Sequence, residues 1–134
     1  MTRGFIALAA VALTWGATPM TQFREHTIAE DLKGAYQVVA VDLNKDGRPD
    51  LIALASNLSE LVWFENPGTV DGTWRVHTYT RSWTWPHVFI AVADINGDGR
   101  ADIALAPAEH AGERYRFSWF EAPQDPRVIW QEHV

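Results

Sequence analysis

The chain contains no cysteine. That excludes a disulfide scaffold, a thiolate metal site, a cysteine nucleophile and a lipid-modified N-terminal cysteine. Basic residues are few, 11 Lys and Arg against 17 Asp and Glu, which leaves a formal net charge of −6. A nucleic-acid partner needs a basic stripe to neutralise phosphates, so none is expected. Long apolar runs are missing too. Gly4 to Trp15 is the one stretch of that kind, and it falls short of the roughly 20 residues that span a bilayer. Downstream of it, apolar residues show no 3.6-residue period, so no amphipathic helix is expected. There is no Ser/His/Asp nucleophile setting, no glycine loop to cradle phosphate, and no carboxylate pair outside the two loops described below.

What is present is about one domain of chain, 134 residues that are 47% hydrophobic and include seven tryptophans, too apolar for a disordered tail. Residues 1–20 read as a signal peptide: Arg3 precedes the short apolar core, the usual order of a secretory leader. The mature chain would start between Ala17 and Gln22 and be secreted, periplasmic or at the cell surface, with no membrane span once the leader is removed.

The rest repeats itself. Asp42-Leu43-Asn44-Lys45-Asp46-Gly47-Arg48-Pro49-Asp50 recurs as Asp94-Ile95-Asn96-Gly97-Asp98-Gly99-Arg100-Ala101-Asp102. Trp63-Phe64-Glu65-Asn66-Pro67 recurs as Trp119-Phe120-Glu121-Ala122-Pro123, and Trp74-Arg75-Val76-His77 as Trp130-Gln131-Glu132-His133. The matches keep their order, and a slightly longer loop around His110 to Arg114 absorbs the difference in length. Within each copy, short apolar runs separated by Gly, Pro, Asn and Asp predict strands at Gln37–Val41, Leu51–Ala55, Leu61–Glu65 and Arg75–Tyr79, then Val88–Ala93, Ile103–Ala106, Phe117–Glu121 and Val128–Val134. The continuous apolar character of the first two strands of each copy predicts cover on both faces. Four short antiparallel strands per repeat of roughly 50 residues is the arithmetic of a β-propeller blade. The expected fold is therefore all-β, with four-stranded blades in an incomplete ring. Its parts would be an outer strand of an adjoining blade at 21–31, a first blade at 32–80, and a second at 81–134 truncated in its last strand, all belonging to a longer protein.

The acidic loops carry the chemistry. Asp42, Asn44, Asp46 and Asp50 place oxygen-bearing side chains at positions 1, 3, 5 and 9, with the carbonyl of Arg48 expected at position 7. Asp94, Asn96, Asp98, the Arg100 carbonyl and Asp102 repeat the set. Hard oxygen donors at alternating positions can wrap Ca²⁺, one ion per loop, and the glycine at position 6 permits the bend. An EF-hand is excluded, because its bidentate glutamate would fall on Ala53 and Leu105 and strands replace its helices. Magnesium suits the set less, since it prefers fewer protein ligands and rigid octahedral geometry.

These residues resemble the FG-GAP and VCBS-type repeats of calcium-binding β-propellers, over Phe23 to Val134. The resemblance rests on Val39 to Leu51 and its second copy, with Ala104-Leu105-Ala106-Pro107 similar to the family's closing Gly-Ala-Pro. It implies that each Asp/Asn loop joins the first two strands of a blade and binds calcium. The Phe-Gly half of the family name is absent, with Ala35-Tyr36 and Pro86-His87 near that position.

His26, His77 and His133 recur in register, as expected of a structural hydrogen bond to a neighbouring blade. His87 opens an innermost strand and is the one local candidate for a base. Trp83 and Trp85 are candidates for stacking on a sugar or a partner. Glu109, His110 and Glu113 read as a solvated loop, and Asn57-Leu58-Ser59 fits a glycosylation sequon. The leading function is an exported, calcium-binding propeller segment used as a binding scaffold, without catalytic residues of its own. Its partners would be a carbohydrate or protein ligand, and either the remaining blades or further copies of itself. The alternatives are the N-terminal part of a carbohydrate lyase, dehydratase or oxidoreductase, and a rigid adhesive spacer.

Overall fold

A computed structural model describes residues 20–55, 60–80, 87–107 and 117–134. The leader, the Asn57 sequon, Trp83, Trp85, Glu109, His110 and Glu113 lie outside the described residues, as does the side chain of His87.

Eight strands are found among the described residues, and no helix. They are β1 (Ala35–Val41), β2 (Asp50–Ala55), β3 (Leu61–Glu65), β4 (Arg75–Thr80), β5 (His87–Ala93), β6 (Asp102–Pro107), β7 (Ser118–Glu121) and β8 (Gln131–His133). Each repeat is one antiparallel sheet in simple up-and-down order, β1-β2-β3-β4 and β5-β6-β7-β8. The ladders are in the same register in both copies: Ala40 faces Leu51 as Val92 faces Ile103. The first strand of each sheet is bulged at an equivalent point, between Ala35 and Gln37 and between His87 and Phe89. Two antiparallel four-stranded sheets without helices are blades of an unclosed ring.

The sheets stack face to face, because alternate residues of a strand point to opposite sides. Ile52, Leu54, Leu61 and Trp63 leave the front of the first sheet and meet Ile90, Ile103, Leu105 and Phe120 from the back of the second. Tyr79 and Trp130 complete this core, with Tyr79 edge-on to Phe120 at a ring distance of 5.5 Å. The Tyr79 hydroxyl has no hydrogen-bond partner among the described residues. The back of the first sheet buries Ala53, Val62 and Phe64 under Ala29, Leu32 and Trp74.

Residues 21–31 pair with no strand among the described residues, and Ala29 near their end packs on that back face. Two expectations are corrected. Cover on both faces holds for β2 but not for β1, an edge strand of its sheet, where Tyr36 and Val38 are exposed. The last strand is Gln131–His133 rather than Val128–Val134. The preceding backbone is spent elsewhere: Val128 N–H closes a turn on the Asp125 carbonyl, and Trp130 N–H donates to the Tyr79 carbonyl of the other sheet at 2.8 Å. The buried Pro126 carbonyl accepts both Trp63 Nε1 (3.3 Å) and Trp130 Nε1 (2.9 Å), which ties this turn to both sheets.

Candidate metal-binding loops

The two acidic loops run between β1 and β2 and between β5 and β6, at equivalent corners of the two sheets. Their sharp reversal needs left-handed backbone, which glycine adopts without steric cost. Gly47 and Gly99 have φ of 83° and 82°. The residue two places earlier is also left-handed, Lys45 at 59° and Gly97 at 79°.

Side chains then close the turn. Asp42 Oδ1 accepts the Asp46 N–H at 3.0 Å and Oδ2 the Gly47 N–H at 2.8 Å. Asp94 does the same for Asp98 and Gly99, at 2.9 and 2.8 Å, and also takes the Gly97 N–H. Asn44 Oδ1 and Asn96 Oδ1 accept the Asp46 and Asp98 N–H groups, both at 3.1 Å. Asp46 and Asp98 in turn accept the N–H of Arg48 and Arg100 and pair with the guanidinium of the same arginine. For Asp98 the Arg100 N–H bond is the main reason its carboxyl lies below the usual value.

The ninth position does something different. Asp50 and Asp102 are fully buried. Asp50 Oδ2 accepts the Leu43 N–H at 3.1 Å and Oδ1 the Asn66 N–H at 2.8 Å. Asp102 does likewise with Ile95 (2.9 Å) and Ala122 (2.8 Å). Each carboxylate thus pins the start of its loop to the chain leaving the third strand. Burial raises the Asp50 carboxyl above its usual value, against the lowering effect of those N–H donors.

All the side chains expected at positions 1, 3, 5 and 9 therefore lie in one loop per repeat. Each carboxylate oxygen has two acceptor sites, so the N–H bonds leave donors for a cation. As they stand, no three His, Asp or Glu side chains among the described residues converge on one point. In both loops the arginine guanidinium occupies the carboxylate at position 5.

Two glutamates at the end of the third strands reach these loops as well. Glu65 Oε1 accepts Asn44 Nδ2 at 3.2 Å, and Glu121 Oε1 accepts Asn96 Nδ2 at 3.2 Å. Sequence reasoning placed both in a strand and gave neither a role at the loop. The available signal was that Trp-Phe-Glu repeats in step with the Asp/Asn motif. His77 and His133 also differ from expectation: each bonds the glutamate of the adjacent strand in its own sheet, at 2.8 Å, rather than a neighbouring blade. At this glutamate the contact between blades comes instead from Arg127, whose Nε and Nη2 both donate to Glu65.

Comparison with known families agrees with this architecture. The match runs from the first aspartate of the first loop to Leu105 in β6, past the end of the second loop. Residues 42–105 match the family of FG-GAP-like repeats. The matched segment thus takes in both acidic loops, β2 to β5 and most of β6, in keeping with a β-propeller-type repeat. No curated protein and no solved structure matches the chain significantly.

Proposed function

We propose that this FG-GAP-like segment is an exported, calcium-binding propeller unit that serves as a binding scaffold. The observation that supports it most is the duplicate wiring: two loops far apart in sequence present the same oxygen donors at the same positions, held by the same backbone bonds. Asp42, Asn44, Asp46, Asp50 and the Arg48 carbonyl would hold one ion. Asp94, Asn96, Asp98, Asp102 and the Arg100 carbonyl would hold the other. Bound calcium supplies positive charge that draws these acidic side chains together and adds its binding free energy to the stability of the fold.

The scaffold role draws support from the open front of the second sheet. Phe89, Ala91, Ala104, Ala106 and Phe117 line a shallow groove of about 330 Å³ there, with Phe89 and Phe117 exposed. The equivalent face of the first sheet is the one covered by the second. A further blade of the same build would cover that face by the same front-to-back packing.

Thermal unfolding with calcium and with a chelator tests the calcium reading. At a ligand concentration 100 times Kd, each site that binds only the folded chain adds about 2.7 kcal/mol, so chelation of both ions should lower Tm by roughly 20 °C. Asp46→Ala and Asp98→Ala should each remove part of that difference. Equal melting curves with and without chelator would overturn the reading.

A further inference from the structure

In both repeats one chain of contacts leads from the sheet to the acidic loop. In the first, the Trp63 ring stacks on His77 with centroids 4.5 Å apart. His77 Nε2 donates to Glu65 Oε2 at 2.8 Å, and Glu65 Oε1 accepts Asn44 Nδ2 at 3.2 Å. In the second, Trp119 stacks on His133 at 4.3 Å, His133 Nε2 donates to Glu121 Oε2 at 2.8 Å, and Glu121 Oε1 accepts Asn96 Nδ2 at 3.2 Å. The four side chains come from the third strand, the fourth strand and the loop, so proximity in sequence does not account for the agreement.

An asparagine amide has an oxygen on one side and a nitrogen on the other, and only the oxygen can ligate a cation. Which way it faces is therefore decisive. Asn44 Nδ2 is held between two carboxylates, Asp46 Oδ2 at 2.9 Å and Glu65 Oε1, while its oxygen takes the Asp46 N–H. Asn96 is held identically by Asp98 Oδ2 at 3.1 Å and by Glu121. Turning either amide over would set its oxygen against two carboxylates and its NH₂ against an N–H donor. Asp46 and Asp98 belong to the loop itself and would serve a cation directly. Glu65 and Glu121 stand outside it on a strand, clamped by the stacked histidines.

We infer that Glu65 and Glu121 are positioning residues that fix the Asn44 and Asn96 amides with the oxygen on the loop side, ready for calcium; this rests on the calcium reading above. His77 and His133 act one step further out, by holding each glutamate. Partners that orient a metal ligand from behind commonly change affinity by 10-fold or more when removed.

The test uses calorimetric titration of calcium into the full chain carrying Asp46→Ala, so that the second loop is read alone. Glu121→Leu should weaken binding about tenfold. In the same chain with Asn96→Asp, both oxygens at position 3 are alike and need no orienting. There Glu121→Leu should weaken binding less than twofold. An equal loss in both backgrounds would mean that Glu121 acts through charge alone and would overturn the inference, as would no loss in the Asn96 chain. His133→Phe keeps a ring on Trp119 but removes the N–H, and should follow the same pattern with a smaller, roughly threefold effect. It carries the comparison if circular dichroism shows that Glu121→Leu does not fold. Absence of any calcium heat in the unsubstituted chain overturns the calcium reading itself, a separate and recognisable result.

Discussion

The side-chain amide of Gln37 exchanges two hydrogen bonds with the backbone of Ile90, donating to its carbonyl at 3.1 Å and accepting its N–H at 2.9 Å. The pair spans the gap between β1 and β5, where no backbone ladder runs, and satisfies polar groups of a residue that is 6% exposed. Gln37→Leu keeps the volume but orphans both groups. It should cost about 2 kcal/mol, since a buried donor or acceptor left unpaired costs roughly 1–3 kcal/mol. Urea unfolding should show a lower midpoint with an unchanged slope; an unchanged midpoint would show that water replaces the amide freely.

Arg127 grips Glu65 across the same interface, from the turn before β8 to the end of β3. That hydrogen bond is the largest influence on the Glu65 carboxyl; burial opposes it, and bonds from His77 and Asn44 help bring the value down to about 2 from an ordinary 4.5. A carboxyl depressed on folding stabilises the fold fully above its unfolded value, and that contribution is lost as pH falls through the folded one. The Arg127 side chain is 42% exposed, so the pair is worth only about 1 kcal/mol. Arg127→Ala should lose that amount at pH 7 in chelator. The gap from the parent should close as pH drops from about 4.5 toward 2. A gap that persists at pH 2 would mean that Arg127 stabilises by packing instead.

Asp50 and Asp102 predict a contrast within each acidic loop. Their oxygens accept backbone N–H groups in buried positions, so an asparagine would turn one NH₂ against a donor. Asp50→Asn and Asp102→Asn should each cost about 2 kcal/mol even in chelator. Asp46→Ala, at an exposed site, should stay within about 0.5 kcal/mol under the same conditions. Chemical denaturation of the three variants side by side decides it, and equal losses would place the structural burden on the whole loop.

Lys45 occupies left-handed backbone where the other repeat has Gly97. A side chain there meets strain of roughly 1 kcal/mol. Gly97→Ala should be destabilising by about that much, although a Cβ would meet nothing within 4 Å. Lys45→Gly should gain about 0.5 kcal/mol, because the freer unfolded chain takes back part of the relief. Opposite shifts in Tm are the expected sign.

Much of this was legible from residue order. Leu61–Glu65 forms the strand expected of it, and the other central strands fall within a residue or two of their apolar runs, since strand ends follow where Asp, Gly and Pro interrupt them. The β8 boundary was not legible. Val128 and Ile129 read as strand, but Pro126 and the bond from Trp130 to Tyr79 draw that backbone into the other sheet. His77 and His133 were recognised as structural, while their partners were not, because registers between neighbouring strands decide whom they face.

The repeat, the four-strand blade and the composition of the acidic loops are written in residue order, because each depends on local pattern: two-residue alternation, turn residues and closely spaced carboxylates. Folding in three dimensions makes Asp50 and Asp102 buried clamps, brings Glu65 and Glu121 to the loop asparagines, and joins the blades through Gln37, Arg127 and Trp130. Those contacts link residues brought together by sheet pairing and face-to-face stacking, and no spacing along one chain encodes such a distance directly.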